Sequence, residues 1–291
     1  MENSGFVFRN IRIGKGYSLK EISEGILSLS LLSKFERGES EITISKFYSL
    51  LERLNLTLDE YSLISNDYQP LGIEKLLQTI RKAYENNNVN FLLKLQEEQL
   101  NKWEKYQLNT YKYNAIMIHA LANNLDESLV VDDDDIHLLI DYLFKIENWG
   151  LYEIILFGNS MNILPTETIV TLSKEILSKT ELYNSIKKNK EELIRVILNA
   201  IIICIQDDRI SIAHYFIIAT EKLIGESVYY FEKVKLLFLK GIYKVRTKDI
   251  EMGIYMAKKA IAIMVELGDD NIAYNHEEYL NDIILQSSLK N

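Results

Sequence analysis

The fold of this chain is decided by residues 18–38, which read SLKEISEGILSLSLLSKFERG. Ser18 can accept a hydrogen bond from a backbone N–H one turn later, while the side chain of Glu21 reaches back to the helix start, the pattern called a capping box. The helix it opens is short, because Gly25 follows within about two turns. A serine shortly after this glycine can cap another helix. The stretch therefore predicts two short helices joined by a few residues, as in a helix-turn-helix.

Three further helices are predicted around this pair, within residues 4–64. Two kinds of signal mark the helix boundaries in this region: small polar residues that cap a helix start, and glycines that end a helix. They are Gly14 after the first helix, Ser28 or Ser30 before the third, Thr43 or Ser45 before the fourth, and Thr57 before the fifth. Five short helices in so few residues predict a compact bundle.

The composition of the 291 residues indicates a folded, helical protein. Two prolines and 12 glycines are too few for a sheet-rich chain, which needs a turn roughly every eight to twelve residues. The net charge is −9, and it is uneven, because residues 1–64 carry eight Lys or Arg against nine Asp or Glu. The single cysteine, Cys204, lies in an apolar run too short to cross a bilayer. We therefore expect a soluble, cytoplasmic protein with no membrane partner.

Downstream of residue 71 the sequence reads as antiparallel helix pairs with short polar connections. Segments starting near residues 208 and 248 are forty residues apart and place alanine or glycine at matching positions, which lets paired helices approach closely. A period near forty is typical of tetratricopeptide and HEAT-like arrays. The fold is thus predicted to be all-α, with a degenerate tetratricopeptide-like solenoid after the bundle. The predicted helices cover residues 72–87, 90–104, 107–123, 134–147, 149–160, 166–180, 189–206, 208–224, 228–246, 249–267 and 270–286.

The second member of a helix-turn-helix enters the DNA major groove, so promoter DNA is the first predicted partner. The side chains expected to face base edges are Ser28, Leu29, Ser30, Leu31 and Lys34. Leu29 and Leu31 can touch a thymine methyl group but supply no hydrogen bond, so readout would depend on T-rich steps and DNA shape. The residues expected to contact phosphates are Arg9, Arg12, Ser18, Lys20, Arg37, Ser45 and Lys46.

The motifs LLSKFERGESEI at residues 31–42 and LLERLN at residues 50–55 resemble the DNA-binding domain of the Rgg/GadR/MutR transcription regulators of Gram-positive bacteria. The resemblance continues through residues 149–153, 156–159 and 198–201, so it extends over essentially the whole chain. We divide the chain into a helix-turn-helix domain at residues 1–66 and a helical-repeat domain at residues 71–291. The boundary is placed at residues 66–70 because Pro70 cannot continue a helix.

The resemblance implies a short, imported, mostly apolar signalling peptide as the second partner, bound on the concave face of the repeats as in quorum sensing. Extended peptides present backbone donors and acceptors, which side-chain amides can satisfy. Asn199 is the first candidate because it interrupts an apolar run, with Asn159 and Asn114 as second choices. Arg195, one turn before Asn199, could hold the terminal carboxylate of the peptide. For each asparagine the alternative is a structural hydrogen bond between helices.

A homodimer is expected, because a nearly neutral DNA-binding domain gains little from electrostatics as a monomer and repressor-type proteins pair two recognition helices. In relatives, a cysteine at the position of Ile44 can link two DNA-binding domains. Ile44 cannot form such a link and is expected to contribute apolar contact at the dimer seam.

No catalytic motif is found, so we expect no enzyme and no cofactor. The four consecutive carboxylates at residues 132–135 lack the glycine and the glutamate of a calcium loop, so they are interpreted as helix-cap residues and no metal is expected. Two alternatives to a peptide-controlled regulator remain open, a ligand-independent repressor and a protein-interaction scaffold with a degenerate helix-turn-helix.

Overall fold

The chain folds into an all-α structure in a computed structural model that describes residues 4–68, 72–179, 186–225 and 228–289. These residues contain α-helices and one short 3-10 helix, and no strand. They divide into two compact units, residues 1–82 and 83–291. The predicted fold class is confirmed: a helix-turn-helix bundle precedes a helical-repeat domain. The domain boundary proposed at residues 66–70 falls partly on residues 69 and 70, which lie outside the described residues.

The first unit begins with five short helices. They are α1 (Ser4–Gly14), α2 (Leu19–Ser23), α3 (Leu29–Glu36), α4 (Ile44–Arg53) and α5 (Leu58–Ser65). The predicted capping box is confirmed, because the backbone N–H of Glu21 donates to Oγ of Ser18 and the backbone N–H of Ser18 donates to the Glu21 carboxylate. Ser28 caps α3 in the same way, by accepting from the backbone N–H of Leu31.

An aromatic cluster forms the centre of this first unit. The rings of Phe8, Phe35, Phe47 and Tyr61 lie with successive centroids 4.8–6.4 Å apart in tilted or edge arrangements, which aromatic pairs prefer. Helices α1 and α3 approach so closely that a Cβ at Gly5 would lie 1.7 Å from the carbonyl oxygen of Phe35. These two helices also supply the buried ion pair described below.

The helices that follow agree with the sequence prediction to within a few residues. They are α6 (Gly72–Glu85), α7 (Val89–Tyr106), α8 (Asn109–Leu125), α9 (Asp133–Lys145), α10 (Leu151–Ser160), a 3-10 helix (Met161–Ile163), α11 (Thr166–Lys179), α12 (Lys187–Gln206), α13 (Ile210–Ile224), α14 (Tyr230–Arg246), α15 (Ile250–Glu266) and α16 (Asp270–Leu289). Helix α6 spans the division between the two units.

The second unit is built around one row of helices. Helices α8, α10, α12, α14 and α16 pack each against the next, and we call this row the even-helix layer. The intervening helices pack against members of the row, as α13 does against both α12 and α14. The arrangement follows from amphipathic helices that cannot bury their apolar faces alone and do so by stacking.

Large apolar side chains fill the space between these helices. Trp149, Phe157, Phe216 and Phe238 are fully buried. Cys204 is buried too, and desolvation raises the pKa of its thiol to about 11, so it behaves as a small apolar side chain, as expected. No helix among the described residues is long and apolar enough to span a membrane.

Helices α14 and α15 meet at two glycines. A Cβ at Gly241 would lie 2.6 Å from the backbone nitrogen of Ala257 and 2.7 Å from the carbonyl oxygen of Gly253. The sequence predicted small residues for close helix approach at Gly253 and Ala257 and did not identify Gly241. The contact between α14 and α15 is therefore formed by backbone atoms, which cannot move aside for a larger side chain.

We expect Gly241→Ala to destabilise the chain by about 2 kcal/mol or more, because overpacking against backbone outweighs the better helix propensity of alanine. Urea unfolding followed by circular dichroism measures this. Gly14→Ala is the control, since no atom lies within 4 Å of a Cβ built at Gly14. Equal stability of the two variants would contradict the close approach.

Candidate DNA-binding and ligand-binding surfaces

The start of α3 presents the side chains predicted to read bases. Leu29 is 50% exposed, Ser30 and Lys34 are exposed, and Leu31 is half-buried. The hydroxyl of Ser28 is exposed but accepts the backbone N–H of Leu31, so it acts as a helix cap. The surface at this helix start is therefore apolar at Leu29 and polar on either side of it.

Several of the predicted phosphate contacts are placed on the surface of the first unit. Arg9, Lys20 and Ser45 are exposed, and Lys46 is half-buried. Ser18 is exposed as well, although its hydroxyl donates to the Glu21 carboxylate at 2.6 Å. These hydrogen bonds lower the pKa of Glu21 and keep its carboxylate charged.

The prediction for Arg12 is wrong, because its guanidinium is inside the bundle. Its Nε and Nη2 donate to the two carboxylate oxygens of Glu36 at 2.6 and 2.7 Å, and its Nη1 donates to the carbonyl of Tyr17. Both side chains of this bidentate pair are buried. Arg12 therefore ties α1 to α3, and its buried guanidinium, already paired with a carboxylate, is not accessible to a phosphate.

Arg37 is exposed but is already paired. Its Nε and Nη2 donate to the Glu39 carboxylate at 2.6 and 2.7 Å, and its Nη1 donates to the Ser33 hydroxyl. The pairing lowers the pKa of Glu39 and raises that of Arg37, chiefly through the hydrogen bonds. A phosphate that binds Arg37 must therefore compete with the carboxylate of Glu39.

Three of the four predicted peptide-binding residues lie on the even-helix layer with accessible side chains. Asn199 and Arg195 are one turn apart on α12, and both are half-buried. Asn159 is half-buried on α10, where its Nδ2 has a weak contact to the sulfur of Met117 at 3.7 Å. It follows Gly158, which packs so closely on α12 that a Cβ would lie 2.7 Å from Val196.

The prediction for Asn114 meets a physical obstacle, because this residue is buried and its amide is used within the fold. Its Nδ2 donates to Oε1 of Gln99 at 3.2 Å, and its Oδ1 accepts from the Tyr152 hydroxyl at 3.0 Å. These bonds link α7, α8 and α10. We correct its assignment to the structural alternative, a hydrogen bond between helices.

Arg195 is placed between two carboxylates. Its Nη1 lies 2.9 Å from Oε1 of Glu192 on the same helix, and its Nε lies 3.3 Å from Oε1 of Glu232 on α14. The Glu232 side chain is buried, whereas the Arg195 side chain is 42% exposed. The carboxylates of Glu192 and Glu232 therefore already neutralise the positive charge of Arg195 within the fold.

The structure adds Lys235 of α14, which the sequence reading did not identify. Its Nζ donates to Oδ1 of Asn199 at 3.1 Å, and burial lowers its pKa. A signal was present in the sequence, since Lys235 directly precedes the apolar run LLFL at residues 236–239 and follows Val234. Its partner is 36 residues away, so the contact itself follows only from the packing of α12 on α14.

The acidic run at residues 132–135 is explained by the fold. Asp132 caps α9 by accepting the backbone N–H of Asp134 at 2.8 Å, and Asp135 pairs with Lys112 of α8 at 2.7 Å. Within the described part of the chain, no three His, Cys, Asp or Glu side chains are placed to hold a metal ion.

Comparison with known proteins identifies the family. The profile described as "HTH-type transcriptional regulator Rgg, C-terminal domain" matches residues 92–278, and a profile described as "Helix-turn-helix" matches residues 8–61. The chain belongs to the Rgg family. It is accordingly a transcription regulator with a helix-turn-helix.

Solved structures resemble this Rgg family member along nearly its whole length. The SHP pheromone receptor Rgg2 of Streptococcus dysgalactiae is 32% identical with a TM-score of 0.85, and its C45S form is 31% identical with a TM-score of 0.84. Each match covers 96% of this chain and 99% of the other. The PrgX/cCF10 complex, at 22% identity, shares the fold with a TM-score of 0.73 and covers 96% and 99% of the two chains.

A shorter similarity links part of the chain to enzymes. L-arabinose isomerases of Actinobacillus succinogenes and Mannheimia succiniciproducens are 24% identical over 96 residues, which is 33% of this chain. The chain spans only 19% of the length of these curated relatives.

We expect Glu39→Gln to tighten binding to DNA from the intergenic region upstream of the gene by about two- to tenfold at low salt. The reason is that Arg37 is released from its carboxylate and becomes available to a phosphate. The slope of log affinity against log salt should steepen by about one. Fluorescence anisotropy of labelled DNA measures both quantities.

Glu41→Gln is the matched control, because it removes the same charge from an exposed position two residues away. An equal gain in affinity for the two variants would show that the net charge of the domain, and not the release of Arg37, is responsible.

Proposed function

We propose that this Rgg family regulator is a cytoplasmic homodimer controlled by a short, mostly apolar signalling peptide that binds along α10, α12 and α14. The observation that carries the proposal is the half-buried amide of Asn199, which lies on the even-helix layer and whose Nδ2 has no hydrogen-bond partner among the described residues. A half-buried amide with a free donor suits the carbonyl groups of an extended peptide.

The accessible side chains of α10, α12 and α14 support a peptide of mixed character. Half-buried or exposed apolar groups lie on the same three helices, at Ile155 of α10, Ile202 of α12 and Phe231 of α14. Asn159 adds a second amide on α10. Apolar side chains of a peptide would bury against the first set, and its backbone would bond to the amides.

The relatives support the same proposal. The matched structures include an SHP pheromone receptor, Rgg2, and a PrgX/cCF10 complex. The first of these exceeds 30% identity over almost the entire chain, so a similar ligand class is a reasonable proposal here.

The proposed homodimer has a candidate seam on α4. Ile44 is 67% exposed, and Tyr48, one turn later on the same helix, is also exposed. Neither packs into the aromatic cluster of its own unit. Two such patches meeting around a symmetry axis would bury apolar surface and bring two α3 helices onto adjacent half-sites.

Control by the peptide would act through a population shift. A peptide that binds one arrangement of the helical repeats better than another favours that arrangement, by as much as its affinities for the two differ. Paired α3 helices held differently in the two arrangements would then bind the promoter differently.

We expect Asn199→Ala to weaken the binding of the short apolar peptides encoded beside the gene by about tenfold or more, because a hydrogen-bonding group facing the ligand is lost. Promoter binding without peptide should be unchanged. Fluorescence anisotropy with labelled promoter DNA, with and without each peptide, measures both effects.

Asn275→Ala is the control, since Asn275 is an exposed asparagine on α16. Promoter binding that no peptide alters in the wild-type protein would favour a ligand-independent repressor, and no specific DNA binding would favour a scaffold. Unfolding of the Asn199 variant would assign Asn199 a structural role.

Ile44→Asp should weaken dimerisation by about tenfold or more, because each copy places a charge in the apolar seam. The helix content of the variant, followed by far-UV circular dichroism, should stay unchanged, since the side chain is exposed on the monomer. Analytical ultracentrifugation over a range of concentrations measures the dimer constant. Ile13→Asp is the control, since Ile13 is an exposed residue of α1 and its replacement should leave the dimer constant unchanged. An unchanged dimer constant for Ile44→Asp would place the seam elsewhere.

A further inference from the structure

The ammonium group of Lys235 is an unusual feature of the even-helix layer. The residue is half-buried on α14, and its Nζ has one hydrogen-bond partner among the described residues, Oδ1 of Asn199 at 3.1 Å. An ammonium carries three donors, so two remain without a protein partner. Removing a charged group from water is costly unless it is paired.

The charges around Lys235 leave its ammonium group without an ion pair among the described residues. Arg195 takes both nearby carboxylates, with Glu232 at 3.3 Å and Glu192 at 2.9 Å. Lys235 forms no ion pair within the described residues. Arg195 repels its ammonium group, and Glu232 attracts it without pairing with it. His276 of α16 also lies near Lys235, and its pKa is lowered mainly by burial. An imidazole is neutral or positive, so it supplies no negative charge to Lys235.

Lys235 also fixes the orientation of the Asn199 amide. A lysine can only donate hydrogen bonds, so the oxygen of Asn199 must face it and the Nδ2 group must point away. Asn199 consequently offers to a ligand its Nδ2 donor, which has no partner among the described residues. The two residues together present an ammonium and an amide N–H from neighbouring helices.

We propose that Lys235 and Asn199 form a carboxylate-binding pair for the peptide ligand. A carboxylate accepts several hydrogen bonds and would place a negative charge in direct contact with Lys235, and charge-assisted hydrogen bonds of this kind are the stronger ones. This inference rests on the proposed function and deepens it. It moves carboxylate recognition from Arg195, which is already paired twice, to Lys235.

The carboxylate has two possible sources in a peptide, its C-terminus and an Asp or Glu side chain. Both have the same chemistry, so the geometry of the pair accepts either. Chemical forms of one peptide can separate them. Neither source is needed for the apolar and amide contacts of the proposed function.

The test uses isothermal titration calorimetry on the full chain with the short peptides encoded beside its gene. Each peptide is synthesised in four forms: unmodified, with a C-terminal amide, with every Asp and Glu replaced by Asn and Gln, and with both changes. These are titrated into wild-type protein, Lys235→Met, Lys235→Arg and Lys233→Met. Lys233 is the matched control, because it is half-buried on the same helix and lines a different cavity, between α13 and α14.

Wild-type protein should bind one masked form about tenfold to a hundredfold more weakly than the unmodified peptide, and the form that loses affinity identifies the source of the carboxylate. Lys235→Met should bind the unmodified peptide as weakly as wild type binds that masked form. Masking the carboxylate of the peptide should then cost the Lys235→Met variant no further affinity. Lys235→Arg should retain part of the affinity, and Lys233→Met all of it.

The thermal midpoint of peptide-free protein separates recognition from a structural role. Lys235→Met should leave it unchanged or raise it, because a half-buried charge without an ion pair among the described residues is replaced by an apolar side chain of similar length. A clear fall in the midpoint would assign Lys235 to the fold and overturn the proposal. Equal binding of all four forms to wild type would also overturn it and leave the peptide receptor standing, whereas no binding of any form would overturn both.

Discussion

The packing of α12 constrains the rest of the second unit. This helix contacts α10, α11, α13 and α14, and half of its positions are fully buried. Crowding on so many sides leaves one narrow stripe with access to solvent, which includes Arg195 and Asn199. Polar groups on such a stripe are partly desolvated, so each must find a partner in the fold or in a ligand. Which polar groups on this stripe stay without a partner is therefore set by the side chains that α14 supplies.

A similar competition between internal and external partners governs the first unit. Arg12 and Arg37 are paired with Glu36 and Glu39, the first pair inside the bundle and the second on its surface. Fewer cations remain to attract phosphates than the sequence implies, in a unit that is already nearly neutral. Electrostatic attraction by one copy is then weak, and two recognition helices acting together become more important for affinity.

The sequence predicted the features that depend on neighbours a few residues away. Helix bounds, the Ser18 capping box, the Ser28 cap and the Asp132 cap all follow from spacings of two to four residues, and all are confirmed. The failures depend on distant partners. Glu36 is 24 residues from Arg12, Gln99 is 15 from Asn114, and Asn199 is 36 from Lys235. Helical periodicity places a residue on a face but does not identify the opposing side chain.

The contacts around Asn199 and Lys235 also bear on how a ligand could change the repeats. Arg195 with Glu232, and Lys235 with Asn199, both join α12 to α14, so these polar groups lie on either side of one helix contact. A ligand held by one helix alone binds equally well wherever the neighbouring helix lies, and such a ligand shifts no equilibrium. A ligand held by both helices binds best at one separation of the two. Recognition placed across the contact of α12 and α14 therefore provides the difference in affinity that any control by a peptide requires.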